Sequence, residues 1–388
     1  MAGVRVLDKD KIFMRRALRL AARARGLTSP NPMVGAVIVK GGVAVAEAYH
    51  RRSGELHAEA LAIIKAGKRA EGSTLYVTLE PCCHLDKKTP PCTKAIRNAK
   101  IRRVIIGMED PNPKVCGKGI HDLKLHSIEV IEGILKPEAL KLNEAYVKYI
   151  TTGKPLVILK VAMTLDGKIA TPEGQSKWIT GEQSRLLVHK MRSSVDAILT
   201  AIGTVKADNP RFTARLKEKA GGFRDKEALG QPKRVVIDPD IETPPDFHIV
   251  NTPPATILVT KRMEFDGSQS AERQRKKQKL LDGGVEFLEY DGDRVNLDWL
   301  VRKLGDSGVT SIIIEGGSLL GAYALQDGIV DKVAFFIAPK IIGGRDSLPA
   351  IGGDIFRRLE DSYRIRDMKS RKIGEDILIE GYIEQAIK

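Results

Sequence analysis

Strand-length apolar runs alternate with helix-length segments along this whole chain, a pattern that admits few architectures. Gly35 to Lys40 and Val43 to Glu47 flank Lys40-Gly41-Gly42 and read as a hairpin. A helix follows from about His57 to Ala70, with Ala60, Leu61 and Ile64 expected inward, then a strand from Thr74 to Glu80. A Pro- and Cys-rich loop runs to Pro91, a short helix spans Cys92 to Asn98, and strands follow at Arg103 to Met108 and Ile128 to Glu132. Ahead of these, Phe13, Ala17, Leu20 or Ala21, and Ala24 mark one face of a helix over residues 8–25. Arg15, Arg16, Arg19 and Arg23 lie on its other faces and read as solvated. The pattern predicts a layered α/β sheet.

A helix from Pro137 to Tyr149 leads to Thr151-Thr152-Gly153-Lys154-Pro155, where helix-stopping and extended-chain residues coincide. The domain boundary is placed there, giving an N-terminal domain over residues 1–150 and a C-terminal one over 155–388. The second part restarts with a strand from Leu156 to Met163 and a helix entered at Thr180, with Gln183 completing a capping box. Further strands are expected near 197–202, 234–238, 256–260, 285–289, 311–315 and 332–337. Lys217 to Pro232 reads as a mobile loop and Arg273 to Lys279 as an exposed helix. A chain of 388 residues has room for two such domains, each with its own core.

Lys and Arg number 64 against 49 Asp and Glu, a formal charge of +15 that favours anionic partners: nucleic acid, an acidic membrane, or small phosphorylated molecules. Apolar runs such as Pro155 to Val161 fall far short of the roughly 18 residues that a membrane helix needs. The N-terminal stretch is basic and lacks the apolar core of a secretory signal, so a cytoplasmic location is expected.

Three of the four cysteines, Cys82, Cys83 and Cys92, fall close together, which points to metal or catalysis rather than a secreted disulfide framework. His57 opens a helix, Cys82 follows Pro81 just past a strand, and Cys92 opens the next helix. One imidazole and two thiolates occupy three corners of a zinc tetrahedron and leave the fourth for a water, the arrangement of a catalytic site. Both cysteines are expected at helix N-termini, where the dipole favours thiolates. Glu59, in the first turn after His57, is positioned to take a proton from water and pass it to a departing amine. Each residue alone has a blander reading, a cap for His57 and dipole compensation for Glu59. Together, His-x-Glu followed by Pro-Cys is the first part of a zinc deaminase signature, here with nine residues between Cys82 and Cys92.

With Asn31-Pro32-Met33-Val34-Gly35, Thr78-Leu79-Glu80-Pro81-Cys82, Thr89-Pro90-Pro91-Cys92 and Asp110-Pro111-Asn112-Pro113, the sequence resembles the bifunctional riboflavin-biosynthesis deaminase/reductase family. The metal loop is one residue longer than the family's common form, and Cys82-Cys83-His84 stands where the family has Cys-Ser-His. Cys82 is the expected ligand because it follows Pro81 directly; Cys83 and Cys116 read as ordinary residues. The resemblance implies that Asn31, His84, Lys88, Asp110 and Asn112 contact the pyrimidine and its ribose phosphate, although Asn-Pro and Asp-Pro-Asn-Pro also simply make turns.

No G-x-G-x-x-G fingerprint follows a strand in the second part, which disfavours a Rossmann unit. Instead Ser311 to Glu315 runs into Gly316-Gly317-Ser318, a strand-to-helix turn that suits a phosphate. With Lys160 to Lys168, Ser176 to Thr180, Met191-Arg192 and Gly203 to Pro210, it resembles the family's reductase half. The implied fold is a cytidine-deaminase-like α/β/α zinc domain followed by a dihydrofolate-reductase-like α/β domain. By this resemblance Ala162, Trp178, Thr204 and Asp208 hold NADPH, together with Gly317, Ser318, Leu319, Leu320, Gly321, Ala322 and Tyr323. Lys160, Ser176, Thr180 and Arg192 would face the sugar phosphate with Phe212, Arg215 and Glu315; the forked guanidinium groups of Arg192 and Arg215 suit a phosphate. Lys160 is the candidate for polarising the sugar oxygen.

The implied cofactors are Zn²⁺ and NADPH. The implied substrate is a small phosphorylated pyrimidine, 2,5-diamino-6-ribosylamino-4(3H)-pyrimidinone 5′-phosphate, deaminated in the first half and reduced to the ribityl form in the second. Neither nucleic acid nor membrane is an expected partner, and a homo-oligomer is. The competing readings are a zinc deaminase acting on a base in RNA or DNA, for which a basic surface is also natural, and a zinc-stabilised binding module, against which three rather than four ligands speak.

Overall fold

The computed structural model describes residues 8–84, 90–215, 231–262, 267–353 and 358–384. Packing divides the chain into two units, Met1–Lys154 and Pro155–Lys388. The first runs α1 (Asp8–Ala21), β1 (Gly35–Lys40), β2 (Val43–Tyr49), α2 (Ala58–Ala66), β3 (Thr74–Leu79), α3 (Cys92–Asn98) and β4 (Arg103–Met108). It continues through α4 (Lys118–Leu125), β5 (Glu129–Ile131), α5 (Lys136–Leu142) and α6 (Glu144–Thr152).

Its strands form one sheet in the order β2-β1-β3-β4-β5. β1 is antiparallel to β2 and β3, whereas β3, β4 and β5 run parallel. The period of two sends side chains to both faces. Val37, Val39, Tyr76 and Ile105 pack with Met14, Ala17 and Leu20 of α1. Ala36, Ile38, Leu75, Val77, Val104 and Ile106 pack on the other face with Ala58, Ala62, Ile96 and Leu123. Helices cover both faces, which is why these strands read as unbroken apolar runs. A Cβ on Gly35 would lie 2.0 Å from the Ala17 carbonyl oxygen, so α1 approaches β1 this closely only over a bare backbone.

Two local expectations fail here for packing reasons. The fully buried face of α2 is Ala58, Ala62 and Ala66, at helical spacing; Leu61 packs half-buried against the same core as expected, whereas Ile64 is 65% exposed. The expected helix from Pro137 to Tyr149 is broken at Asn143 into α5 and α6. Asn143 is buried; its side chain accepts from the Met33 N–H at 2.8 Å and donates to the Met33 carbonyl at 3.0 Å.

The second unit begins β6 (Leu156–Thr164), β7 (Lys168–Ala170), α7 (Glu182–Arg192), β8 (Ala197–Ala201), α8 (Ile202–Asp208), β9 (Lys233–Ile237) and α9 (His248–Asn251). There follow β10 (Thr256–Lys261), α10 (Gly267–Asp282), β11 (Glu286–Tyr290), α11 (Leu297–Asp306), β12 (Ser311–Glu315), α12 (Ser318–Gln326) and β13 (Lys332–Ala338). It closes with β14 (Leu348–Pro349), β15 (Ile365–Ile373) and β16 (Asp376–Ile383). The main sheet has the order β11-β10-β9-β8-β12-β6-β13-β16-β15. It is parallel from β11 to β13 and ends in the antiparallel β16 and β15. One face packs Leu159, Leu199, Val235 and Ile314 against Leu300, Leu304 and Leu320 from α11 and α12. The opposite face packs Ile198, Val236, Leu258 and Ile313 against Val205, Ile249 and Leu280.

The C-terminal hairpin and the short β7–β14 pair are absent from the sequence reading. β15 is exposed along nearly its whole length, so it carries no buried alternation to detect. The capping box at Thr180 does not form: Gly181 is the N-cap of α7, and the Asp376 carboxylate of β16 accepts from the Gly181 N–H at 2.8 Å and the Ser184 hydroxyl at 2.5 Å. Most of the polar segment from Lys217 to Pro232 lies outside the described residues. No helix among the described residues is long and apolar enough to cross a membrane.

Candidate active site

The parallel pairing of β3 and β4 sets the segments leaving their carboxyl ends side by side, Pro81 to His84 next to Asp110 to Asn112. The antiparallel β1 starts at the same edge: the Gly35 N–H donates to Thr78 Oγ1 at 3.1 Å, bringing in the segment with Asn31. Topology thus gathers pieces that are distant in sequence.

His57 is the N-cap of α2, with extended backbone. Its Nδ1 lies 3.2 Å from Cys92 Sγ and 3.6 Å from Cys82 Sγ, and the three donor atoms all lie within 4.8 Å of one another. Zinc bond lengths in a tetrahedron imply ligand-to-ligand spacings of about 3.5–3.8 Å, so this donor set fits the ion. Its electrostatics fit as well. The Cys92 thiol is pushed up, first by its hydrogen bond to Cys82 and then by burial, with Glu59 adding to it. Sulfurs and a carboxylate crowded this way are reconciled by a cation.

Cys92 is the first residue of α3, as expected, but Cys82 is not at a helix N-terminus; it lies in the extended segment after β3. Its carbonyl accepts from the Thr93 N–H at 3.2 Å, which ties the two ligand segments together. Val115 packs on Cys82 and Cys92 as an apolar wall. Cys83, half-buried, is outside the donor cluster, and Cys116 is exposed beside Glu109. Cys82→Ser and Cys92→Ser are expected to lose bound zinc by more than the about 10–100-fold that a supporting residue costs, whereas Cys83→Ser keeps it. Metal content by mass spectrometry reads the difference; equal zinc in all three variants would contradict the assignment.

Glu59 stands in the first turn of α2 and is 3% exposed. Burial raises its carboxyl above the ordinary range, against the opposing influence of His57. A carboxyl so placed, buried beside the three donor atoms, is suited to moving a proton there. His50, missed by the sequence reading, is buried edge-on to the His57 ring at 5.5 Å between centroids. Tyr146 was also missed; its hydroxyl donates to Asp110 Oδ1 at 2.8 Å.

Of the other residues expected around this centre, Asn31 donates from Nδ2 to Ser53 Oγ at 3.4 Å, and His84 is half-buried two residues past Cys82. Asp110 is buried and its Oδ1 accepts from the Asn112 N–H at 2.9 Å. Lys88 lies outside the described residues.

In the second unit the parallel register places Lys160 of β6 opposite Glu315 at the carboxyl end of β12. Glu315 is 5% exposed. Arg192 clamps it through both forks, Nε to Oε1 at 2.6 Å and Nη2 to Oε2 at 2.9 Å, while Lys160 Nζ stands 3.3 Å from Oε2. Burial alone would raise this carboxyl, but Arg192 and then Lys160 outweigh it and hold it down at about 2. The fork that the sequence reading reserves for a phosphate is therefore engaged by Glu315. The Arg192 guanidinium also sits 5.5 Å from the ring of Phe212, which is buried at φ +45°. Arg215 is exposed nearby, its N–H 3.3 Å from His189 Nδ1. Burial first, then Arg192 and Arg215, lower His189 to about 4.

The residues expected around a dinucleotide occupy the same end of the sheet. Gly316 and Gly317 are exposed between β12 and α12, and a Cβ on Gly317 would lie 3.9 Å from Thr204 Oγ1 of α8. Bare backbone beside helix starts is a fitting cradle for a phosphorylated cofactor. Trp178 is 65% exposed under the Arg185 guanidinium, 4.6 Å away. Neighbouring Lys177 pairs with Asp208 at 3.1 Å. Ser318 is half-buried and Leu319 exposed, whereas Leu320, Gly321 and Ala322 are buried and Tyr323 stacks under Arg294. Ala162 and Ser176 are half-buried, and the buried Thr180 accepts from Arg185 through its carbonyl.

Against known proteins, residues 7–108 match the family model described as the cytidine and deoxycytidylate deaminase zinc-binding region, and residues 155–379 match the RibD C-terminal domain. The chain is 41% identical over 373 residues to riboflavin biosynthesis protein RibD of Actinobacillus pleuropneumoniae, covering 96% of this chain and 94% of that one. It is 39% identical to the Escherichia coli protein of the same name, covering 96% and 98%. Among solved structures, Acinetobacter baumannii RibD superposes with a TM-score of 0.86 at 35% identity, over 98% of this chain and all of the other. A Thermotoga maritima diaminohydroxyphosphoribosylaminopyrimidine deaminase/5-amino-6-(5-phosphoribosylamino)uracil reductase gives 0.82 at 35% identity, over 97% and 99%. An N-terminal zinc-deaminase domain and a C-terminal reductase domain are thus joined in one chain, as the sequence implied.

Proposed function

The chain belongs to the RibD family of bifunctional riboflavin-biosynthesis enzymes, a zinc deaminase joined to an NADPH-dependent reductase, and on that premise we propose how its residues divide the work. His57, Cys82 and Cys92 hold the zinc, which when bound supplies the Lewis acidity that makes water nucleophilic near neutral pH. Glu59 accepts the proton released by that water and returns it to the departing amino group. Asp110, Asn112, Asn31, His84 and Lys88 face the pyrimidine and its ribose phosphate, a role supported by the junction of their segments at the carboxyl ends of β3 and β4.

In the second unit a bound NADPH would be the source of the hydride for the ribosyl carbon. Thr204, Asp208, Trp178, Ala162 and the turn from Gly317 to Tyr323 cradle the cofactor. Glu315 fixes Lys160 toward the sugar oxygen, Ser176, Thr180 and Phe212 line the substrate side, and exposed Arg215 takes the phosphate. Arg192 acts through Glu315, which its fork already engages.

The substrate of this reading is the diamino ribosylaminopyrimidine phosphate, and the charge of +15 suits both it and a phosphorylated cofactor. A cytoplasmic place agrees with four free cysteines. A homo-oligomer agrees with the exposed edge strand β15. The correspondence to two-domain enzymes over nearly the whole chain favours this reading over action on RNA or DNA.

The observation that carries the reading is the closure of His57, Cys82 and Cys92 onto one point beside buried Glu59. The zinc-loaded protein given the diamino pyrimidine phosphate is expected to release ammonia and only then oxidise NADPH; given the deaminated compound, it oxidises NADPH at once. NADPH oxidation on the diamino compound without ammonia release would overturn the order of steps.

A further inference from the structure

The Glu80 carboxylate, which none of the chemistry above uses, is 3% exposed. Burial raises it above the ordinary range, and backbone N–H groups pull it the other way. Those donors come from two places. Oε2 accepts from the Asp110 N–H at 3.2 Å and the Gly117 N–H at 3.0 Å, and Oε1 accepts from the Ile120 N–H at 3.1 Å. Gly117 is the N-cap of α4, so one carboxylate caps a helix from another strand and also grips the residue leaving β4.

Asp110 and Gly117 are the two ends of a single loop. Its middle carries Val115, packed on Cys82 and Cys92, and its start carries Asp110 and Asn112. Glu80 itself directly precedes Pro81 and Cys82. The approach is close: a Cβ on Gly119 would lie 2.1 Å from the Pro81 carbonyl oxygen. Tyr146 holds the loop from the other side through Asp110 Oδ1.

We propose that Glu80 is a positioning residue for the deaminase: it clamps both ends of the 110–117 loop and so sets the pyrimidine-facing residues at a fixed distance from the metal ligands. This rests on the reading that Asp110 and Asn112 face the substrate. A helix cap alone would contribute stability and leave substrate affinity untouched, which makes the two roles separable.

The test is Glu80→Gln in the full-length, zinc-loaded protein, since an amide cannot accept at both oxygens. KM for the diamino pyrimidine phosphate is expected to rise about tenfold, more than kcat falls, as loss of hydrogen bonds to a charged group implies. One zinc per chain is retained, and the reductase acts on the deaminated compound at the parental rate, an internal control on folding. A lowered Tm with unchanged KM and kcat overturns the proposal, as does loss of zinc. Should the variant fail to fold, Glu80→Asp decides: it keeps the carboxylate but shortens its reach to the Asp110 and Gly117 N–H groups, and an unchanged KM overturns the proposal while a raised one supports it. Asp110→Asn separates the premises. An unchanged KM there removes the role of Asp110 and the proposal with it; a raised KM there beside an unchanged one in Glu80→Gln overturns the proposal alone.

Discussion

Glu59→Gln is expected to lower deaminase turnover by about 10²–10⁴-fold, the usual contribution of a positioned acid and base, with zinc content and reductase activity unchanged. The amide keeps the shape of the side chain and can neither take nor return a proton. Zinc persists because Glu59 contributes none of the three donor atoms that meet in the cluster. The reductase persists because its residues belong to the other unit. Stability adds a sign that a structural residue would not show. Burial penalises the charged form of Glu59 and raises its carboxyl, so the neutral amide should leave the melting temperature of the deaminase unit unchanged or higher. Ammonia release, metal analysis and NADPH oxidation on the deaminated substrate measure the three quantities in one preparation. Loss of zinc or of reductase activity in this variant would sink the assigned role.

The metal centre was legible in the sequence because its ligand types are rare and their local settings are stereotyped. His57 and Cys92 each open a helix, Cys82 follows a proline past a strand, and the structure brings the three donor atoms together. Cys83 was separable from Cys82 by the adjacent Pro81, and it lies outside the cluster. Interactions between a side chain and a remote backbone were not legible. Asn143 breaks a helix to bond Met33, and Glu80 collects N–H groups beyond β4; nothing local marks which carboxylate or amide will meet which peptide. The same limit hid the pairing of Arg192 with Glu315. A forked guanidinium in a site suggests phosphate, but register places the Glu315 carboxylate within its reach. The C-terminal hairpin escaped because β15, solvated nearly throughout, needs no apolar period. Its one local mark is Gly374, at φ +64° in the turn ahead of the apolar residues of β16.

Glu315→Gln is expected to cost the reductase unit about 3–5 kcal/mol, because it leaves the half-buried Lys160 and Arg192 cations facing a neutral amide at a buried position. Reductase activity should fall with it, while ammonia release by the first unit continues. The acid dependence carries the argument further. The Glu315 carboxyl is held at about 2 against an ordinary value of 4.5, so its folded pKa is depressed. A depressed carboxyl stabilises the fold fully above its unfolded value and loses that contribution as pH falls through the window from 4.5 to about 2. The shift corresponds to about 3 kcal/mol, in line with the cost of breaking the pair. Urea unfolding of the parent and of Glu315→Gln should therefore differ most near neutral pH and converge as acid is added. A second variant, Arg192→Met added to Glu315→Gln, removes one stranded cation and should recover part of the loss. Parallel stability curves at all pH values, or no recovery in the double variant, would mean that the triad does not hold this end of the sheet together, and Lys160 would then lack the fixed anchor that its role at the sugar oxygen requires.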